Sequence, residues 1–102
     1  MKNYVYIYYN EGTAGAPTEE VTKAWGEWFG SIGQNLVDGG NPFAGNGKAV
    51  EKSGVSDIEN WPATGYSIVK AESIDQAAQW AKGCPVLDEP KGAVRVYETM
   101  PM

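Results

Sequence analysis

Three stretches of the chain have the composition of β-strands. Residues 4–9, 64–71 and 93–98 are rich in β-branched and aromatic side chains, and a more polar stretch at 48–52 is typical of a sheet edge. The first stretch alternates two apolar sets, which are Val5, Ile7 and Tyr9 on one face and Tyr4, Tyr6 and Tyr8 on the other. A strand that is apolar on both faces is expected in a sheet that is at least partly covered on both sides.

Two other stretches have the pattern of amphipathic helices. The first begins at Thr18, whose side chain is a suitable N-cap, and Gly33 suits the left-handed position that ends it. Its apolar stripe has helical spacing and consists of Val21, Trp25, Trp28, Phe29 and Ile32. The second helix begins at a capping box of Ser73 and Gln76, and it ends at Gly83 because Pro85 prevents its continuation.

The elements follow one another in the order strand, helix, strand, strand, helix, strand. With right-handed crossovers, this order predicts a ferredoxin-like α+β fold: one domain over residues 1–102, with a four-stranded antiparallel sheet and both helices on one face. We expect the other face to carry tyrosines of the first strand together with Tyr97. Exposed aromatic surface of that size is typical of an interface, so the sequence predicts a homodimer in which two sheets face each other.

Composition and charge narrow the functional classes. The net charge of -5 over 102 residues disfavours binding to nucleic acid. The chain has no histidine and one cysteine, Cys84, which excludes histidine-dependent nucleophiles, histidine metal sites and an intrachain disulfide. Neither the Walker A pattern nor the dinucleotide fingerprint occurs, and we predict no cofactor and no metal. Without a signal-peptide pattern or a long apolar run, we expect a cytoplasmic protein that does not associate with membranes.

A series of short motifs extends over the whole chain. They are the tyrosine-rich opening stretch, Ala24-Trp25-Gly26-Glu27-Trp28-Phe29, Leu36-Val37-Asp38-Gly39-Gly40, Gly54-Val55-Ser56-Asp57, Thr64-Gly65-Tyr66-Ser67-Ile68, Ala71-Glu72-Ser73-Ile74-Asp75-Gln76-Ala77, Cys84-Pro85 and Val94-Arg95-Val96-Tyr97-Glu98. In order and spacing they resemble the YCII-related family of the dimeric α+β barrel superfamily, which is related to the DGPF-domain branch. The resemblance implies a ferredoxin-like fold, a dimer, and a cleft between the sheet and the loops, but it implies little about activity.

Two features of the chain depart from the pattern of this family. Some members look as though they use a histidine paired with an aspartate, and this chain has no histidine. The DGPF branch has an Asp-Gly-Pro-Phe segment after the third loop, where this chain has Asp57 followed by Ile58, so only the aspartate matches. A histidine–aspartate mechanism therefore does not carry over to this chain.

Two aspartates are candidate catalytic residues. Asp38 precedes two glycines and is either a general base near the sheet edge or a turn residue that bonds its own backbone, and the second interpretation is favoured. Asp57 belongs to another loop that is expected near the cleft. If the two carboxylates converge, one of them gains a raised pKa and is able to donate a proton.

The candidate ligand-binding residues are Tyr6, Tyr8, Trp61 and Arg95. The tyrosines either line an apolar pocket with polar tips or belong to the dimer interface, and the second interpretation is favoured. Trp61 is either a lid over the cleft or a plug across the dimer. Arg95 is the only arginine of the chain, and it either clamps a carboxylate or forms an intersubunit ion pair.

Three functional hypotheses follow from the sequence. The first is a small homodimeric protein that binds a small molecule in each cleft. The second is a cofactor-independent enzyme of the isomerase or lyase type, in which Asp38 or Asp57 is the general acid or base. The third is a protein-interaction module whose aromatic face binds another protein.

Overall fold

The computed structural model describes residues 1–11, 18–58 and 62–101. The strands are β1 (Lys2–Tyr9), β2 (Leu36–Asp38), β3 (Lys48–Glu51), β4 (Gly54–Asp57), β5 (Ala63–Ala71) and β6 (Ala93–Glu98), and the helices are α1 (Glu19–Ile32) and α2 (Ile74–Ala81). Of the helices in these ranges, none is long and apolar enough to cross a membrane.

Both helices begin at the caps that the sequence predicts. The Thr18 hydroxyl oxygen accepts a hydrogen bond from the Val21 backbone N–H at 3.2 Å, and the Ser73 hydroxyl oxygen accepts one from the Gln76 N–H at 3.1 Å. Each bond satisfies one of the backbone donors that a helix leaves unpaired at its N-terminus. At the other end of α1, Gly33 has a φ of 63°, which a residue without a side chain adopts at no steric cost.

Four strands form one antiparallel sheet in the order β2-β5-β1-β6. The two central strands, β1 and β5, pair over almost their full length, and Val5 lies opposite Ile68. On its other side β1 pairs with β6, where Val5 lies opposite Tyr97. This strand order, with two helices, gives an α+β architecture that is compatible with the predicted ferredoxin-like fold.

The prediction for the second strand of this sheet was wrong. Its place is taken by the three residues of β2, while β3 pairs with β4 in a separate two-stranded hairpin. Two features weaken the sequence signal here. β2 is shorter than a typical strand, and β4 contains Gly54 and Asp57, two residue types that are depleted in strands.

The core lies between the sheet and the two helices. The buried apolar residues are Tyr4, Tyr6, Tyr8, Trp28, Ile32, Val69, Ala71, Ala77, Ala81, Cys84 and Val86. Trp25 packs against this cluster from α1, and its ring centroid lies 4.9 Å from that of Tyr8 in an edge-on arrangement. The predicted apolar stripe of α1 is therefore confirmed, and Cys84 is buried in the same core.

The prediction that Tyr4, Tyr6 and Tyr8 lie on the face away from the helices was wrong. The alternation along β1 is as predicted, but these three side chains form the helix-covered face. Burial of Tyr6 and Tyr8 is possible because the fold supplies partners for their hydroxyl groups. The Tyr6 hydroxyl donates to the Ala77 carbonyl oxygen of α2 at 2.5 Å, and the Tyr8 hydroxyl donates to the Ser67 hydroxyl oxygen at 2.7 Å.

The opposite side of the sheet is an apolar surface, which we call the open face. It is formed by Val5, Ile7, Tyr9, Tyr66, Ile68, Arg95 and Tyr97. Both helices pack on the other side, so neither of them covers these residues. Tyr97 is 50% exposed, and the five other apolar side chains are partly exposed.

Candidate functional site

The loop that contains Asp38 is attached to the edge of the sheet. Asp38 Oδ1 accepts a hydrogen bond from the Gly40 backbone N–H at 2.8 Å, which is the turn interaction that the sequence favours for this residue. Beyond the turn, Pro42 forms a β-bridge with Gly65, and the Phe43 N–H donates to the Thr64 carbonyl oxygen at 2.8 Å. The Asp38 side chain thus acts as a turn element, and its carboxylate is exposed.

A chain of hydrogen bonds connects this loop to the core. The Tyr8 hydroxyl donates to the Ser67 hydroxyl oxygen, and the Ser67 hydroxyl donates to the Gly39 carbonyl oxygen at 2.7 Å. The next residue after Gly39, Gly40, has a φ of 74°, and a Cβ at this position would overlap the Tyr66 carbonyl oxygen. Only glycine allows the loop to approach β5 so closely.

Three buried titratable groups, Tyr6, Tyr8 and Cys84, belong to the core. Burial raises the pKa of Tyr6 to about 12, and it raises the pKa of the Tyr8 phenol well above its usual value. Burial also raises the pKa of the Cys84 thiol to about 12. All three groups are neutral at physiological pH, and Cys84 is a poor nucleophile in this environment.

Tyr6 and Tyr8 are therefore core residues whose hydroxyls have partners within the chain. Neither of these predicted ligand-binding residues lines the groove described next. Arg95 lies on the open face, where its guanidinium carbon is 5.0 Å from the centroid of the Tyr9 ring. The remaining predicted ligand-binding residue, Trp61, lies outside the described residues.

An open groove of about 770 Å³ lies between the loop that precedes β3 and the start of β5. Its lining residues are Pro42, Phe43, Ala44, Gly45, Asn46, Gly47, Lys48, Asp57, Ile58, Pro62 and Ala63. The volume is within the range of roughly 300–1,000 Å³ that is usual for small-molecule sites. Phe43 and Ile58 provide apolar surface, and Lys48 and Asp57 provide one positive and one negative charge.

Asp57 is the one predicted catalytic residue that lines this groove. Its carboxylate forms an ion pair with the Lys48 ammonium group across the hairpin, and both side chains are largely exposed. Asp38 instead bonds its own loop at the edge of the four-stranded sheet. Because each carboxylate has a separate partner and neither is buried, this arrangement lacks the desolvation that usually prepares a carboxylate for proton transfer.

Several residues of both surfaces are not among those that the sequence predicts as functional. Phe43 and Ile58 of the groove have no regular spacing along the chain, so no sequence pattern identifies them. Ile7 of the open face did carry a signal, because it belongs to the apolar set of Val5, Ile7 and Tyr9 on β1. That set, rather than the set of Tyr4, Tyr6 and Tyr8, marks the exposed side of the sheet.

No protein-family model, no curated protein and no solved structure shows a significant match to this chain. Within the described ranges, no three histidine, cysteine, aspartate or glutamate side chains are grouped in a way that could hold a metal ion. The geometry of the open face and of the groove is therefore the basis for a functional proposal.

Proposed function

We propose that this chain forms a homodimer of the YCII-related type, in which two copies pair through their open faces and each copy holds a small molecule in its groove. The open face is the observation that supports pairing most strongly. Val5, Ile7, Tyr9, Tyr66, Ile68 and Tyr97 lie next to one another on it, and both helices pack on the other side of the sheet. Contiguous apolar surface of this kind is typical of interfaces in small proteins.

A second copy suits this face because, in a dimer with a two-fold axis, the open face of one copy packs against the open face of the other. Ile7 lies at its centre, opposite Tyr66 on one neighbouring strand and Arg95 on the other. Full burial of one such aliphatic side chain contributes about 1.5–3 kcal/mol, and the symmetry repeats each contribution. Arg95 belongs to β6, an edge strand of the sheet, and this position suits the rim of the interface, where charges are usually found.

The substitution Ile7→Lys tests the pairing. It places a charge at the centre of the open face without removing a side chain from the helix-covered core. We expect light scattering to give twice the chain mass of 11.0 kDa for the wild type and the chain mass for the variant. Ala78→Lys is the matched control, since Ala78 is exposed on α2, and it should leave the dimer intact. A wild-type protein with the mass of one chain at micromolar concentration would contradict the proposal.

The groove is proposed as the ligand site because it combines apolar walls with two opposite charges. A small molecule that packs against Phe43 and Ile58 lies close to the charged groups of Lys48 and Asp57, because all four side chains line the groove. The net charge of -5 disfavours strongly anionic ligands such as nucleotides. Both aspartates are exposed, and each already has a partner, Asp38 in its own turn and Asp57 in Lys48, so ligand binding has more support than catalysis by a carboxylate.

Native mass spectrometry of protein isolated from cells tests whether the groove holds a small molecule. We expect a retained small molecule that is lost when Phe43→Ala removes the aromatic wall of the groove. Gln79→Ala, an exposed position on α2, should retain it. The absence of any retained species, together with amide NMR signals of the groove that do not respond to a metabolite mixture, would contradict this part of the proposal.

We also propose a cytoplasmic location, since the unpaired, buried Cys84 suits a reducing compartment.

A further inference from the structure

The groove contains one pair of opposite charges. Lys48 lies directly opposite Asp57 in the β3–β4 hairpin, and its ammonium group forms an ion pair with the Asp57 carboxylate. Opposite positions on two antiparallel strands hold their side chains close together, with Cβ atoms about 4.5–5.5 Å apart. Among the groove-lining residues in the described ranges, these two are the charged ones. The groove therefore presents a positive and a negative group side by side.

The ion pair is accessible to a ligand. The Lys48 side chain is 63% exposed and the Asp57 side chain is 76% exposed. Because water competes for both charges, an exposed pair of this kind contributes little to stability. A ligand that carries one charge of each sign can replace it with two charge-assisted hydrogen bonds. A ligand with a single charge leaves one of the two groups without a partner, and an uncharged ligand that covers the pair only removes its water.

An apolar contact lies next to this ion pair. Ile58 is 44% exposed, and its side chain lies against Gly47, where an added Cβ would be 2.7 Å from Ile58 Cδ1. Gly47 precedes Lys48 along the chain, and Ile58 follows Asp57. The apolar wall and the two charges are therefore neighbours in the groove, so one small molecule can contact both.

An aromatic ring forms a second apolar wall of the groove. Phe43 is 48% exposed, and its ring packs against the Tyr66 ring with 6.2 Å between the centroids. An aromatic ligand in contact with Phe43 gains both apolar burial and a favourable ring–ring interaction. The groove thus combines a site for two opposite charges with a site for an aromatic ring.

We infer that the groove binds a free α-amino acid with an aromatic side chain. The ligand carboxylate pairs with Lys48, its ammonium group pairs with Asp57, and its ring packs against Phe43. An α-amino acid carries both charged groups on one carbon atom, which suits two protein charges that lie side by side. It has no net charge, so the net charge of -5 on the chain does not oppose its binding. This inference rests on the ligand site proposed above and names the chemical class of the ligand.

Titration of isotope-labelled protein, followed by amide NMR, tests this class with L-phenylalanine as the probe. Three analogues each lack one part of it. Phenylalanine amide carries only the positive charge, phenylpropionate carries only the negative charge, and the amino acid glycine carries both charges without a ring. We expect L-phenylalanine to shift the amide signals of the groove and to bind at least tenfold more tightly than each analogue.

Two variants test the role of each charge. Lys48→Gln removes the partner of the ligand carboxylate, so phenylalanine amide should bind this variant at least as tightly as L-phenylalanine does. Asp57→Asn removes the partner of the ammonium group, so phenylpropionate should bind that variant at least as tightly. Lys82→Gln is the matched control, because it removes the same charge from an exposed position at the end of α2. It should keep the wild-type preference for L-phenylalanine.

The outcomes separate this inference from the proposed ligand site. If L-phenylalanine does not bind, if it binds no better than its analogues, or if Lys48→Gln and Asp57→Asn keep the wild-type preference, the amino-acid assignment is refuted. The groove still stands as a ligand site if native mass spectrometry finds a retained molecule that depends on Phe43. If no molecule is retained and the groove signals respond neither to L-phenylalanine nor to the metabolite mixture, both proposals are refuted.

Discussion

The substitution Ser67→Ala tests the hydrogen bonds that connect the Asp38 loop to the core. Ser67 is fully buried, and its hydroxyl accepts from Tyr8 and donates to the Gly39 carbonyl oxygen. Alanine removes a single oxygen atom and leaves little new space, so the cost arises from the two lost partners. A buried Tyr8 hydroxyl without an acceptor costs about 1–3 kcal/mol, and loss of the bond to Gly39 adds about 1 kcal/mol. We expect Ser67→Ala to lower the free energy of unfolding by about 2–4 kcal/mol.

Urea unfolding followed by tryptophan fluorescence, at a fixed protein concentration, measures this cost. The urea m-value of Ser67→Ala should equal that of the wild type. In thermal unfolding, the same loss of free energy should lower the melting temperature of a domain of this size by at least about 8 °C. Ser31→Ala is the control: Ser31 is exposed, its hydroxyl bonds the Trp28 carbonyl oxygen of its own helix, and its removal should cost less than about 0.5 kcal/mol.

A double-mutant cycle with Tyr8→Phe separates the hydrogen-bond explanation from a packing effect. In the Ser67→Ala background, Tyr8→Phe removes the hydroxyl that has lost its acceptor, so the second substitution should cost less than it does alone. We expect a coupling energy of about 1 kcal/mol or more. A cost of Ser67→Ala below about 1 kcal/mol, or two substitutions that are additive, would refute the reasoning.

Three other predictions concern glycine positions and pH. Gly40→Ala should lower the free energy of unfolding in urea by about 3 kcal/mol or more, because at this positive φ the new Cβ would overlap the Tyr66 carbonyl oxygen. A Cβ at Gly39 would meet open space, so Gly39→Ala should leave the free energy of unfolding nearly unchanged. Equal losses for the two variants would contradict this. Gly30→Ala, also in open space within α1, should raise the melting temperature and the free energy of unfolding by about 0.5–1 kcal/mol, and a lower melting temperature would contradict it. Stability should begin to fall as the pH approaches 9.0, the ordinary pKa at which the unfolded Cys84 thiol loses its proton, and it should fall further through 10.0, where the unfolded Tyr6 and Tyr8 phenols lose theirs, because the folded groups keep their protons. Tyr6→Phe should reduce this decline by up to about 1.4 kcal/mol per pH unit, and an identical pH profile would count against the cause given.

Both helices and the strands β1, β5 and β6 could be predicted from sequence because each has a strong local signal. Thr18 and Ser73 cap the helices as expected, and the last strand has the predicted bounds. The second sheet strand could not be predicted in this way. β2 has only three residues, and its pairing with β5 is interrupted by an irregularity, so tertiary contacts rather than local propensity determine it.

The faces of β1 show a different limit of sequence reasoning. Alternation divides its side chains correctly into two sets, but both sets are apolar, so the pattern does not identify the buried one. The fold buries the set of Tyr4, Tyr6 and Tyr8. In the fold, the Ala77 carbonyl and the Ser67 hydroxyl serve as acceptors, and these partners are 71 and 59 residues away along the chain.

The candidate site was less predictable than the fold. The turn role of Asp38 follows from the two glycines after it, which is a local signal. The groove brings Phe43, Asp57 and Ile58 together through the path of the hairpin, and neither composition nor spacing encodes that path.

The central claim is that a second copy of this chain covers the open face. Isotope-filtered NMR on a mixture of labelled and unlabelled chains tests it most directly, because it detects only contacts between different copies. The account predicts intermolecular nuclear Overhauser effects to the methyl groups of Ile7 and Ile68. Their absence from a stable dimer, or effects confined to the outer surfaces of α1 and α2, would contradict it.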